Sequence, residues 1–213
     1  ATHKKVKGLT TRANCVKLLA ALKERPDFSR YLGPGYDPRL AASFRICPSV
    51  DYFQQSWDDA KNGRPSSCPV MNVQIPSIYD SSLAPPGHHV LSAWTLYAPA
   101  HLKEGSWETE GPRVGEQLID LLSEYLPNFR ESVIDWTLQT PQDIETREFM
   151  TDGSIRHIDI TSRQILAGRM PYRSPIARLY LCGSGTHPGG EITGVPGHNA
   201  ARAILKDLEK VAV

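Results

Sequence analysis

Residues 179–205 read LYLCGSGTHPGGEITGVPGHNAARAIL. The pattern predicts a strand over residues 179–182, a glycine-rich turn over 183–190 and a helix from about 193 to 210. Gly183, Gly185, Gly189, Gly190, Gly194 and Gly197 keep side chains away from the junction, so backbone N–H groups can approach a ligand closely. The first turn of a helix leaves its N–H groups unpaired, and the helix dipole makes that end partly positive. A phosphate or an electron-rich ring edge is the natural partner. Pro196 falls in the first helical turn, where a missing N–H does little harm. The same glycines also suit tight packing of a helix on a strand. The dinucleotide fingerprint G-x-G-x-x-G is broken, because Pro188 stands at its third glycine position.

Upstream, the chain alternates short apolar runs with turns. Val16, Leu18, Ala20 and Leu22 suit a strand, but leucine, alanine and lysine also favour helix, and both readings stay open. Residues 43–47 form a short strand candidate. Val50, Phe53, Trp57 and Ala60 recur at helical spacing, and Gly63 follows as a stop. Met71, Val73 and Ile75 alternate with polar residues, and residues 89–97 are the clearest strand. Val114, Leu118, Leu121, Leu122 and Tyr125 mark an amphipathic helix ended by Pro127. Thr161 and Gln164 have capping-box spacing, which predicts a further short helix. The expected fold is α/β (α+β): a mixed, largely antiparallel sheet with helices, followed by the terminal strand–turn–helix. Residues 1–150 and 151–213 are the expected divisions.

Bulk properties exclude several functions. The 213 residues are 40% apolar and 22% charged, with a formal net charge of +1. No strong field favours nucleic acid or an anionic membrane. No apolar run approaches the roughly 20 residues of a membrane helix. The first residue, Ala1, is not Met, which suggests processing or cutting. Cys15, Cys47, Cys68 and Cys182 are widely spaced without a CxxC pair, so free buried thiols in a reducing compartment are expected, without a zinc site. A cytoplasmic location is the expectation, with the mitochondrial matrix as the alternative. His88 and His89 are adjacent and would point to opposite faces of a strand, so they cannot easily share a metal ion. Cys182 and His187 are explained by turn geometry, and no metal is expected. Asp51, Asp58 and Asp59 read as solvated.

The glycine-rich tail closely resembles the C-terminal flavin-contact segment of the phytoene-desaturase-like FAD-dependent oxidoreductases, relatives of the flavin amine oxidases. The stretches "DYFQQSWDDAKNGRPSSCPVMNVQIPSIYDSSLAPPGHHVLSAWTLYAP" and "GSIRHIDITSRQILAGRMP" resemble the same family in the same order, so the likeness covers most of the chain from about residue 13 onward. The resemblance implies that residues 1–150 are part of a substrate domain. It implies that residues 151–213 are the segment returning to a Rossmann-like FAD/NAD(P)-binding domain. The family's GxGxxG half, which binds the ADP part of FAD, is absent from this sequence. That half is expected as a cut-off N-terminal region or a separate partner chain, and self-association is a further expectation.

By the same resemblance, Gly183, Ser184 and Gly185 would run along the ribityl–pyrophosphate part of FAD. Gly190, Glu191, Ile192, Gly194 and Val195 would approach the pyrimidine edge of the ring, with Thr186 and Asn199 adding side-chain hydrogen bonds. Many relatives have glycine where this chain has Glu191, and a carboxylate there would oppose negative charge unless paired or turned away. His157 is a weak candidate for the flavin pocket, with a structural histidine as the competing reading. The implied chemistry is hydride transfer from a substrate C–H bond to the flavin, which needs no strong acid–base residue. A family remnant that lost the nucleotide half and serves as a protein-binding module is the alternative.

Overall fold

The run after residue 14 is a strand. Valine and leucine at alternate positions bury one face of it, and it pairs on both edges. The computed structural model describes residues 2–12, 14–165, 168–189 and 192–209. In chain order the main elements are α1 (Thr2–Lys7), β1 (Cys15–Leu22), β2 (Ser43–Ile46), α2 (Val50–Lys61), β3 (Val70–Gln74), β4 (His89–Leu96), α3 (Trp107–Tyr125), β5 (Val133–Gln139), α4 (Pro141–Glu148) and α5 (Val195–Glu209). Two compact units result. One is residues 13–153, and the other joins residues 1–12 to 154–213. The sequence divisions at 150 and 151 had placed residues 1–12 with the first part.

Residues 13–153 build a five-stranded sheet in the order β2–β3–β4–β1–β5. Every neighbouring pair is antiparallel. Val16, Leu18, Ala20 and Leu22 of β1 share a core with Met71 and Val73 of β3, Leu91 and Ala93 of β4, and Val114, Leu118, Ile119 and Leu122 of α3. Each large apolar side chain so buried contributes roughly 1.5–3 kcal/mol. Gly115 lets α3 approach β5: a Cβ there would stand 2.1 Å from the Trp136 ring. Gly115→Ala is therefore expected to destabilise this unit by about 1–3 kcal/mol through overpacking, read as a lower midpoint in urea unfolding.

Among the main elements, α1, β5 and α4 escaped the sequence reading. The edge strand β5 alternates Ile134, Trp136 and Leu138 with Asp135, Thr137 and Gln139, and a register shift opposite Ala21 and Leu22 leaves Ile134 exposed and turns Val133, Trp136 and Leu138 to the core. The helix α4 carries its own signal. Thr140 caps it, Pro141 opens it, and Thr140 and Asp143 exchange capping-box hydrogen bonds. The helix α3 begins seven residues before Val114 because Ser106 caps it, a start obscured by Gly111, Pro112 and Gly115.

Asp59 is buried rather than solvated, at 3% exposure. Its carboxylate accepts from Ser67 N (2.9 Å), Ser67 Oγ (2.6 Å) and Arg64 (2.8 Å), tying the end of α2 to the following turn. Burial raises its pKa, but the Ser67, Arg64 and Gln55 hydrogen bonds outweigh it and hold the carboxyl below its ordinary value. A group depressed in the folded state stabilises above its unfolded pKa and loses that contribution as pH falls through the folded value. Asp59→Asn should therefore cost about 1–3 kcal/mol at neutral pH and progressively less below pH ~4, read by urea unfolding across pH.

In the second unit, residues 1–12 are fastened to residues 159–164 by hydrogen bonds through Thr10. Thr10 N donates to Gln164 Oε1 (2.7 Å), Thr10 Oγ1 donates to Asp159 (2.6 Å), and Gln164 Nε2 donates to the Thr10 and Asp159 carbonyls (3.1 Å each). That network replaces the helix expected from Thr161 and Gln164. The Gln164 side chain turns to Thr10 instead of closing a capping box, and residues 162–164 form a turn. The strand expected over residues 179–182 is likewise absent: Tyr180 makes only an isolated bridge to Arg173, and Thr186 one to Met170. A strand needs hydrogen-bonded neighbours, and the described residues of this unit supply none longer than a bridge. Arg173 instead donates to Asp207 (2.6 and 2.9 Å) and to Ala203 O (3.1 Å), while Tyr180 OH donates to Asp207 (3.0 Å). These bonds fasten the turn region to α5.

Candidate functional site

The turn before α5 is the site that the sequence singles out, and its glycines test the two readings. Among the described residues, a Cβ added at Gly183, Gly194 or Gly197 would meet nothing within 4 Å. Packing against the described residues of this unit therefore does not account for glycine at those three positions. Gly194 has φ +69, in the left-handed region where a branched side chain is strained. Gly185 is more confined, since its Cβ would lie 3.8 Å from His157 Cβ. His157 itself is exposed, with φ +64, and its N–H donates to Ser154 O at 2.8 Å.

Several named residues are engaged in the turn itself. Thr186 is buried, and its N–H and hydroxyl both donate to Gly183 O (3.0 and 2.7 Å). Its hydroxyl proton is committed to the turn, so Thr186 shapes the loop. Ser184 offers its carbonyl to Arg169 at 2.7 Å. Asn199 Nδ2 donates to Tyr172 OH at 2.9 Å, which fixes its side chain on the first turns of α5. Val195 N donates to Thr193 Oγ1 at 3.3 Å, and Ile192 is fully exposed at 105%. Gly190 and Glu191 lie outside the described residues. Among the described residues no group of three or more His, Cys, Asp or Glu is placed to hold a metal ion.

Sequence reasoning missed Arg169. Its side chain is 4% exposed, and its Nε is buried without an acceptor among the described residues. Burial, then the nearby positive charge of Arg156, lower its pKa from the usual guanidinium value. Arg169 and Arg156 line a cleft of about 210 Å³ with Ile160, Ile165, Pro188, Gly189, Thr193 and Val195. The Arg169 guanidinium packs on Gly189, where a Cβ would stand 3.0 Å from Nε. The usable signal was Gly168-Arg169-Met170-Pro171, an arginine placed among turn residues with no acid beside it in sequence. Open glycine backbone, a helix N-terminus and a buried cation together fit a ligand with a negatively charged planar or phosphate group.

No family model matches the chain. It is 35% identical to the pyridine nucleotide-disulfide oxidoreductase domain-containing protein 2 of Mus musculus over 219 residues, covering 98% of this chain and 38% of that protein. It is 36% identical over 143 residues to a lycopene-forming phytoene desaturase of Pseudescherichia vulneris, covering 64% of this chain and 29% of the relative. A 4,4'-diapophytoene desaturase of Staphylococcus haemolyticus is 30% identical over 169 residues, 74% of this chain and 33% of the relative. The chain thus spans well under half the length of the curated relatives that it matches.

Proposed function

We propose, because this chain belongs to the phytoene-desaturase-like FAD-dependent oxidoreductases, that it forms the substrate portion and the flavin-facing return segment of a dehydrogenase or desaturase. The cofactor would be FAD, held together with a dinucleotide-binding half from the same polypeptide or from a partner chain. Bound FAD would supply the acceptor for two electrons and a proton leaving a substrate C–H bond as hydride.

The open glycines carry this reading. With no side chain at Gly183, Gly194 and Gly197, the backbone is accessible over both the turn and the start of α5. Gly183, Ser184 and Gly185 would follow the ribityl–pyrophosphate chain. The N–H groups of Ile192 and Gly194, and that of Val195 once it is released from Thr193 Oγ1, would face the pyrimidine edge, where preorganised donors oppose accumulating negative charge. Gly190 and Glu191 complete the proposed segment by sequence position. Asn199, held by Tyr172, would orient the first turns of the helix. His157, exposed beside Gly185, remains a candidate neighbour of the ribityl chain and takes no proton-transfer role.

The test uses the longer natural protein that carries this chain, loaded with FAD and incubated anaerobically with a lipid extract of its source cells. Loss of the yellow flavin absorbance, with a product two hydrogens lighter by mass spectrometry, is expected. A flavin that no fraction of the extract bleaches would favour the protein-binding reading instead.

A further inference from the structure

We propose that Arg169, with Arg156, makes the cleft beside the glycine turn an anion site for the negatively charged edge of the flavin ring; the proposal rests on the flavoprotein reading above. A guanidinium has five N–H donors. In Arg169 one of them meets Ser184 O, while the buried Nε meets no acceptor among the described residues. No described carboxylate forms an ion pair with it. Removing such a charge from water without an anion is costly, so a ligand that brings negative charge is favoured.

The walls of the cleft choose among anions. Ile160, Ile165, Pro188 and Val195 surround the two arginines. A phosphate exposes polar oxygen on every side and gains nothing from apolar walls. A flat aromatic system with delocalised charge at one edge matches both the walls and the cations. Thr193 and Val195, at the start of α5, line the same cleft, so the helix N-terminus and Arg169 act on one ligand region. Because Arg169 also holds Ser184 O, it couples the position of the turn to the charge it presents.

Sulfite provides the probe. It adds to the oxidised flavin through its sulfur lone pair, forms one covalent bond and leaves the extra negative charge on the ring. Its affinity therefore reads the positive charge held at that ring, independently of any substrate. In the longer natural protein loaded with FAD, Arg169→Met should weaken sulfite binding by about tenfold to a hundredfold, and Arg169→Lys should recover part of it. Arg156→Gln should shift sulfite affinity in the same direction, and it carries the test if Arg169→Met does not accumulate as folded protein. Wild-type sulfite affinity in the folded variants overturns the proposal. So does weaker FAD retention with unchanged sulfite affinity in the loaded fraction, which assigns Arg169 to a phosphate. Equal, non-additive loss of apoprotein stability in Arg169→Met and Glu191→Gln also overturns it, because Arg169 would then serve an ion pair within the chain. A wild-type protein that takes up no flavin defeats the flavoprotein reading itself, and is distinct from all of these results.

Discussion

The isolated 213-residue chain should purify colourless and should not retain added FAD through gel filtration. Its proposed contribution to the cofactor is a helix N-terminus, a few backbone N–H groups and a cleft of about 210 Å³. Each neutral hydrogen bond adds a net of only about 0.5–1.5 kcal/mol. Three or four of them, with one charge contact, must offset roughly 4–15 kcal/mol for immobilising a large ligand. The ADP half of FAD would find its phosphate cradle elsewhere. Ile160, Ile176, Leu179, Ile192, Leu205 and Leu208 are exposed in residues 154–213, so the isolated chain should also exceed its monomer mass in solution. Visible absorbance and light scattering read both outcomes. A yellow monomer with stoichiometric FAD would show that the cofactor is held in another way.

Gly194→Val should abolish tight flavin binding in the longer natural protein while leaving its fold in place. At φ +69 a β-branched residue is strained by about 1–3 kcal/mol, which drives the backbone toward another conformation. The residue lies one position before α5, so the change re-aims the first N–H groups of that helix. A side chain there meets no atom of the described residues within 4 Å, so protein stability should change by no more than that strain. The methyl groups would instead occupy the space proposed for the ring. A loss of FAD affinity of at least about a hundredfold is expected, with unaltered circular dichroism. Gly197→Ala, also in open space but inside the helix, separates the two causes. It should affect FAD affinity less, because helical backbone tolerates alanine. Unchanged FAD affinity in Gly194→Val would reduce the turn to a chain connection.

Legibility followed the physics of each element. The strands β1, β3 and β4 and the apolar core of α3 bury one face each, so their periodicity is written in Val16–Leu22, Met71–Ile75 and Val114–Leu122. The strand β5 alternates clearly over residues 134–139 and was legible there; only its register shift at the sheet edge, which leaves Ile134 exposed and turns Val133 to the core, was not. Residues 179–182 have strand composition without strand partners, because propensity alone cannot supply the opposite half of a hydrogen-bonded ladder. Gln164 shows the same limit at short range: its spacing from Thr161 fits a cap, yet Thr10, distant in sequence, claims its side chain. At the candidate site the glycines were visible as a pattern. Arg169 carried only the faint sign of standing among turn residues with no acid beside it, which does not by itself show that it is buried.

The most direct measurement is the flavin content of the longer natural protein, or of the two-chain complex if the dinucleotide half is a separate chain. Protein purified without added cofactor is denatured, and the released flavin is separated and quantified against protein. Stoichiometric FAD, lost on Gly194→Val, is the result expected from a chain whose glycine turn faces the cofactor. A folded protein that contains no FAD and binds none on titration would contradict it.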